Sequence, residues 1–308
     1  MIAPGNIPNI FSLPLSALEI ATSNGVGLEN KLFSNLKHPA QFSSSKKQIG
    51  FSFSNLFSNE LSSSIFDFSR KYKFNFTYQF GLIIISISDI PDTRELFSNE
   101  NEFFPDYSSI KNFNFNQYFF KINFAKNINI KNKIGINILP HFYQFDSMKG
   151  YGVLANISFL KQLNSHVKYS IILNSIPGSF TMWGNNYIEF YPIELRSNIS
   201  LSFYKININS LLDYNSESIN IFGPKFWTKD GFDYSISVNY IVNKNLEFIL
   251  SSGDMIYLSG GFIFEYKGIE IHYATGKQNF DSISMLHQGI DFIIDLNRIN
   301  EWKKILKP

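Results

Sequence analysis

The sequence predicts an all-β protein: a 14-stranded antiparallel transmembrane β-barrel with a helical and irregular N-terminal plug segment. Three observations predict it. From Lys47 onward apolar and polar residues alternate with a period of two, which places them on opposite faces of a sheet. The connections between these stretches sort by parity, short and basic on one side, longer on the other. Phe and Tyr are abundant, at 33 and 16 of 308 residues, yet no apolar run approaches the ~18 residues that a spanning helix needs. A membrane barrel reconciles the last pair, because only alternate residues of its strands meet lipid.

The first element is not a strand. Residues 10–25 read as a short helix followed by irregular chain, with Pro14 placed in its first turn and Gly25 at its end. Strands then follow at 48–54, 61–69, 74–88, 115–125, 132–145, 151–160 and 166–174. A second set follows at 193–204, 206–214, 233–242, 246–251, 256–266, 269–274 and 285–296. Tyr118, Phe120, Ile122 and Phe124 illustrate the outward set, and Lys121 and Asn123 the inward one. Val, Ile, Phe and Tyr dominate the outward set, as strands prefer. Phe292 is assigned to the lipid face of the last strand.

Even-numbered connections are short, and each carries Lys or Arg: Arg70–Lys73, Lys126–Lys131, Lys161–Ser165, Lys205, Asn243–Asn245 and Lys267–Gly268. The long connections, 89–114, 175–192, 215–232 and 275–284, are all odd-numbered. Short turns at one end and longer loops at the other are the sidedness of an outer-membrane barrel. The loop 215–232, with Gly223, Pro224 and Trp227, is expected to reach over the mouth. The chain thus divides into an N-terminal segment at the periplasmic mouth (1–46), the barrel (47–296) and a basic tail (297–308). Helical spacing of Ile299, Trp302, Ile305 and Leu306 gives that tail an amphipathic option.

Chemistry is sparse. The chain has no Cys, which excludes disulfides and thiol chemistry. A net charge of +2 gives no field for nucleic acid. No glycine-rich phosphate loop, Gly-x-Ser-x-Gly or His-Glu-x-x-His motif occurs. We therefore assign no catalytic residue, metal or cofactor. Alternation points Lys121, Glu265, Glu270, His272, His287 and Asp291 into the lumen. They are candidates for lining a passage, or for the ion pairs and hydrogen bonds that pack a closed one.

The N-terminal residues also carry a resemblance. Leu13-Pro14, Ser16-Ala17 and the closing His38-Pro39-Ala40 resemble the plug motif of the PorV/PorQ-like outer-membrane proteins, relatives of the FadL-type barrels, with the opening closer to the PorQ-like side. His38 stands where the family has asparagine, Leu18 where it has arginine, and its glycine pair is split into Gly25 and Gly27. Segments 176–196, 258–274 and 286–292 resemble the family's later loop and strands. The resemblance implies a type IX secretion-associated protein that holds or hands over secreted cargo in the outer membrane. The alternative is FadL-like passage of a hydrophobic small molecule. A third reading is a soluble or surface β-protein that binds glycans or proteins. It draws on Met1–Gly5, which show neither the basic nor the apolar region of a signal peptide.

Overall fold

In a computed structural model of the chain, residues 10–25, 31–41, 46–72, 76–92, 111–184, 186–215, 232–280 and 283–298 are described. The fold is one antiparallel sheet closed on itself. Its wall comprises β1 (Gln48–Leu56), β2 (Leu61–Lys71), β3 (Phe76–Asp92), β4 (Lys111–Asn127), β5 (Asn132–Phe145), β6 (Met148–Gln162) and β7 (Val167–Asn174). A short hairpin, β8 (Phe180–Trp183) and β9 (Ile188–Phe190), comes next in the chain. The wall resumes with β10 (Glu194–Phe203), β11 (Ile206–Asn215), β12 (Phe232–Asn243), β13 (Leu246–Gly253), β14 (Leu258–Tyr266), β15 (Ile269–Phe280) and β16 (Ile283–Asp295). Each wall strand pairs with its neighbours, and β1 closes on β16 through Gln48↔Asp295 to Asn55↔Gln288. Without β8 and β9 the wall has fourteen strands. Among the described residues every strand belongs to this one sheet, so its outward face has no second sheet packed against it.

Alternation is physically realised. Phe51, Phe53, Phe66, Phe80, Ile290 and Phe292 are exposed on the outside, while Ser52, Ser54, Asp67, Gln79, Asp291 and His287 are buried inside. A nine-residue strand such as β1 extends about 30 Å, and a tilt near 40° leaves a band of roughly 23 Å, close to the apolar height of a membrane barrel. Phe292 pairs with Phe51 on β1 and Ile271 on β15 near the middle of this band. Phe292→Arg is expected to cost about 2–4 kcal/mol of folding stability in lipid vesicles, measured by urea titration. An unchanged midpoint would place this face away from lipid.

The six short turns, 72–75, 128–131, 163–166, 204–205, 244–245 and 267–268, lie at one end with both ends of the wall sequence. Four details differ from expectation. Residues 275–284 do not form a long loop. β15 runs to Phe280 and pairs with Ile283, because its polar residues keep alternating, with Gly276 and Gln278 inward. Next, β3 and β4 reach Asp92 and Lys111, past a bulge between Ile87 and Ile90. The seventh connection contains β8 and β9, which extend the sheet along β6 at Gly150–Val153. Finally, the helix is only Ala17–Ala21 (α1), so Pro14 precedes it, and Ser23 and Asn24 with positive φ turn the chain before Gly25. Gly27, the mouth loop with Gly223, Pro224 and Trp227, and the tail from Ile299 lie outside the described residues.

Candidate functional site

The N-terminal segment lies inside the barrel, and its local structure depends on the wall. Ser16 caps α1, its hydroxyl accepting from the Glu19 N–H at 3.2 Å, and the Glu19 carboxylate accepts from the Leu15 N–H at 2.7 Å. A five-residue helix is far below the length that is stable alone. Two of its free N–H groups, those of Ala17 and Leu18, donate to the Asp291 carboxylate of β16 at 2.9 and 3.2 Å. Every residue from Ala17 to Ala21 is buried.

Asp291 is one end of a charged chain. His272 on β15 meets Asp291 through Nδ1 at 2.9 Å and Glu270 through Nε2 at 2.5 Å. Glu270 accepts from Lys31 Nζ at 2.9 Å, and Lys31 belongs to the N-terminal segment. Carboxylates only accept, so with both ionised the imidazole must donate through both nitrogens and carry a positive charge. Cations and anions therefore alternate from Lys31 through Glu270 and His272 to Asp291, and both ends of the chain touch the segment.

A second group sits deeper in the segment. Lys37 Nζ lies 3.8 Å from Glu19 Oε2 and donates to the Asn24 side chain. Burial pushes the Glu19 carboxyl up and the Lys37 ammonium down to about 8, and each charge opposes the other's shift. Across the lumen, His38 Nδ1 lies 2.9 Å from Ser158 Oγ, and the Ala40 N–H donates to the same hydroxyl at 2.7 Å. Asn137 and Asn156 donate to the Leu36 carbonyl at 2.7 and 3.1 Å. The wall gives this stretch room. A Cβ on Gly135 would lie 2.3 Å from both the Pro39 carbonyl carbon and the Ala40 nitrogen, and one on Gly289 would lie 2.9 Å from the Ala17 Cα. Pro39 and Ala40 are buried in a short 3-10 turn.

Of the six residues expected inside, Lys121, Glu270, His272, His287 and Asp291 are buried in the interior, and only Glu270, His272 and Asp291 converge. Lys121 donates to Asp67 on β2 at 2.6 Å. His287 lies apart, at 3.2 Å from Gln278 and edge-on to Phe57. Glu265 stands at the rim with Lys46 at 3.6 Å and Arg298 at 3.8 Å. Glu265 and Glu270 are direct cross-strand partners, and such like charges repel. Each has its own cations, Lys46 and Arg298 for Glu265 and Lys31 for Glu270, which offset that repulsion. Sequence reasoning missed Asp67 and the buried Arg196, which binds Asp213 at 2.6 Å and Glu194 at 3.5 Å. Their alternation was readable; their partners were not.

The remaining interior divides in two. Toward the longer loops, Ile10, Phe11, Leu13 and Leu15 pack in one apolar cluster with Ile83, Ile85, Phe115, Phe119, Leu139 and Leu154 of the wall. Leu13 is 1% exposed, and Ser16 likewise lies buried between this cluster and α1. On the opposite wall, a polar cavity of about 170 Å³ is lined by Lys168, Ser170, Asn198, Ser200, Asn207 and Glu247, among others.

No protein-family model matches the chain, and no curated protein matches it. Solved structures do. The CymD monoaromatic hydrocarbon channel superposes with a TM-score of 0.64 at 12% identity, covering 92% of this chain and 97% of its own. The toluene transporter TodX of Pseudomonas putida gives 0.64 at 9%, covering 91% and 97%. A FadL homologue of Pseudomonas aeruginosa gives 0.57 at 8%, covering 95% and 100%. The narrower PorV/PorQ-like likeness rests on the sequence motifs alone. What these structures share with the chain is the fold, so the chain is a closed 14-stranded barrel of the FadL-type architecture, held on an internal N-terminal segment.

Proposed function

We propose that the protein is an outer-membrane channel for small hydrophobic molecules, and that residues 1–46 are its plug. One observation carries this reading. Membrane barrels are ordinarily polar inside, yet the wall around Ile83, Ile85, Phe115, Phe119, Leu139 and Leu154 is apolar. The plug covers it with Ile10, Phe11, Leu13 and Leu15. An apolar solute could replace those side chains without exposing the wall to water, because the transfer free energy depends on area removed from water rather than on what removes it. The solved structures of like fold include a monoaromatic hydrocarbon channel and a toluene transporter, which supports the same class of solute. Leu13, Pro14, Ser16, Ala17, His38, Pro39 and Ala40 serve as plug residues. Lys121, Glu265, Glu270, His272, His287 and Asp291 set the packing of the lumen around it. No residue is assigned to catalysis and no cofactor is needed. The secretion-linked reading keeps the motif resemblance as its support.

The test is growth. In a Gram-negative host deleted for its own hydrocarbon and fatty-acid channels, the protein is expected to restore growth on toluene or a long-chain fatty acid. A folded, membrane-resident protein that restores neither overturns the solute class. Deleting residues 1–41 is expected to leave a heat-modifiable barrel with raised ion conductance in planar bilayers. Loss of the barrel itself would make the segment a folding element rather than a plug.

A further inference from the structure

The short-turn end of the barrel carries a ring of cations that neither the plug nor the passage uses. Lys71, Lys131, Lys161, Lys205, Lys244 and Lys267 place a cation at or beside each of the six short turns, and those turns contain no Asp or Glu. Five of these lysines are exposed and Lys205 is half-buried. The acids of this end point the other way: Glu247 lines the internal cavity, Asp295 is buried, and Glu265 holds Lys46 and Arg298. At the opposite end the described residues present Glu60, Asp89, Asp146 and Asp254 beside the exposed Lys111, Lys149 and Lys277, so acids and bases mix there. The two ends therefore differ although the net charge is only +2: the short turns carry cations without an acid, while the described residues of the other end carry both signs.

Two of the six, Lys205 and Lys267, are also built into the aromatic belt, as are the neighbouring Lys47 and Lys126. Lys47 lies over Phe68 at 5.8 Å, Lys126 over Phe76 at 5.6 Å, Lys205 over Tyr204 at 5.9 Å and Lys267 over Tyr266 at 5.1 Å. Each is within the range of a cation–π contact. These four ammoniums are therefore held at the short-turn edge of the outward aromatic surface, where an amphipathic side chain keeps its stem in apolar surroundings and its charge at the head-group level. Short turns recur every second strand, so the cations recur about every 10 Å around the rim, from the ~4.8 Å strand spacing.

We propose that this rim is a binding surface for the anionic head groups of glycerophospholipids in the leaflet that meets the short turns. Charge sign, height and continuity with the lipid-facing belt all fit a phosphodiester head group with net negative charge. A lysine near an anionic membrane surface adds on the order of a fivefold gain in affinity, and a head group that meets two of them gains more than tenfold. The inference rests on the membrane reading above but not on the identity of the transported solute.

The experiment is native mass spectrometry of the full chain released from micelles carrying equal amounts of phosphatidylglycerol and phosphatidylcholine with identical acyl chains. The protein is expected to retain phosphatidylglycerol at least about tenfold over phosphatidylcholine at low salt. Pre-equilibration in 1 M salt should shrink that preference, because the Debye length falls to about 3 Å. The variant Lys131→Gln, Lys161→Gln, Lys205→Gln, Lys244→Gln is expected to lose most of the preference while staying heat-modifiable, and the matching Lys→Arg variant to keep it. Equal retention of both lipids, or a full preference in the Gln variant, overturns the proposal and leaves the ring to an acidic protein surface. Retention of neither lipid by a protein soluble without detergent would overturn the membrane reading as well.

Discussion

Asp291→Ala is expected to destabilise the folded protein by about 3–5 kcal/mol, the cost of removing one partner from a buried charged network. The side chain is fully buried and serves three donors: the Ala17 N–H, the Leu18 N–H and His272 Nδ1. Alanine strips the cap from α1 and leaves His272 facing Glu270 alone. Capping loss by itself would be worth about 1 kcal/mol, so most of the expected effect comes from leaving His272 Nδ1 buried without its acceptor and the Lys31–Glu270–His272 chain short of one anion. Asp291→Asn keeps an acceptor for the helix and should cost less. Urea titrations in lipid vesicles measure the loss, and limited proteolysis should cut the N-terminal segment faster in the alanine variant. If the midpoint moves by less than the equivalent of 1 kcal/mol, the charged chain is not what holds the segment.

Gly135→Leu is expected to dislodge the other end of the segment. A Cβ there already overlaps the Pro39 and Ala40 backbone at 2.3 Å, and backbone cannot step aside as a flexible side chain can. Residues 36–41 must leave the wall or the wall must bend, and overpacking of this kind costs about 1–3 kcal/mol. Leaving the wall gives up the His38 and Ala40 contacts to Ser158 and the Asn137 and Asn156 bonds to Leu36. The expected result is a barrel that remains heat-modifiable but conducts more ions, with Gly135→Ala intermediate. A Leu variant with the parent's conductance and the parent's proteolysis pattern would show that the wall yields instead. Together the two variants test the two ends of the segment independently, since Asp291 on β16 and Gly135 on β5 are separated by four strands of the wall and share no partner.

Period-two alternation is a local property, so the fourteen wall strands and the inward or outward sense of Lys121, Asp291 or Phe292 were legible in the sequence. Height along the barrel axis is not local. Whether His272 meets Asp291 or His287 depends on the register between β15 and β16, which pairs His272 with Asp291 and moves His287 up to Gly276. The same limit hid the Lys121–Asp67 pair, whose partners are 54 residues apart. Strand ends were misread where polar residues such as Lys277 and Asn279 continue a strand beyond the lipid, because there water tolerates either face. The hairpin β8–β9 was read as loop because its strands are only four and three residues long. A short helix was legible from Pro14 and Gly25, but its bounds, Ala17–Ala21, were not. A cap at Ser16 wins over a proline at the first turn when a wall carboxylate supplies the missing acceptors.

The bond between Ala17 and Asp291 joins residues 274 positions apart, and it lies beside the seam where the first and last strands meet. Closing a loop of that length costs about 5 kcal/mol of chain entropy, against a small fraction of that for each two- to four-residue hairpin turn. Assembly of the wall can therefore proceed strand by strand from local hairpins, while the seam must wait for the whole chain. Until β16 arrives, β1 offers a bare edge to any other strand, and α1 has no acceptor for its first amides. The last strand to be made removes both liabilities in one step, so a chain truncated before Asp291 is expected to accumulate as an open, aggregation-prone sheet rather than as a slightly smaller barrel.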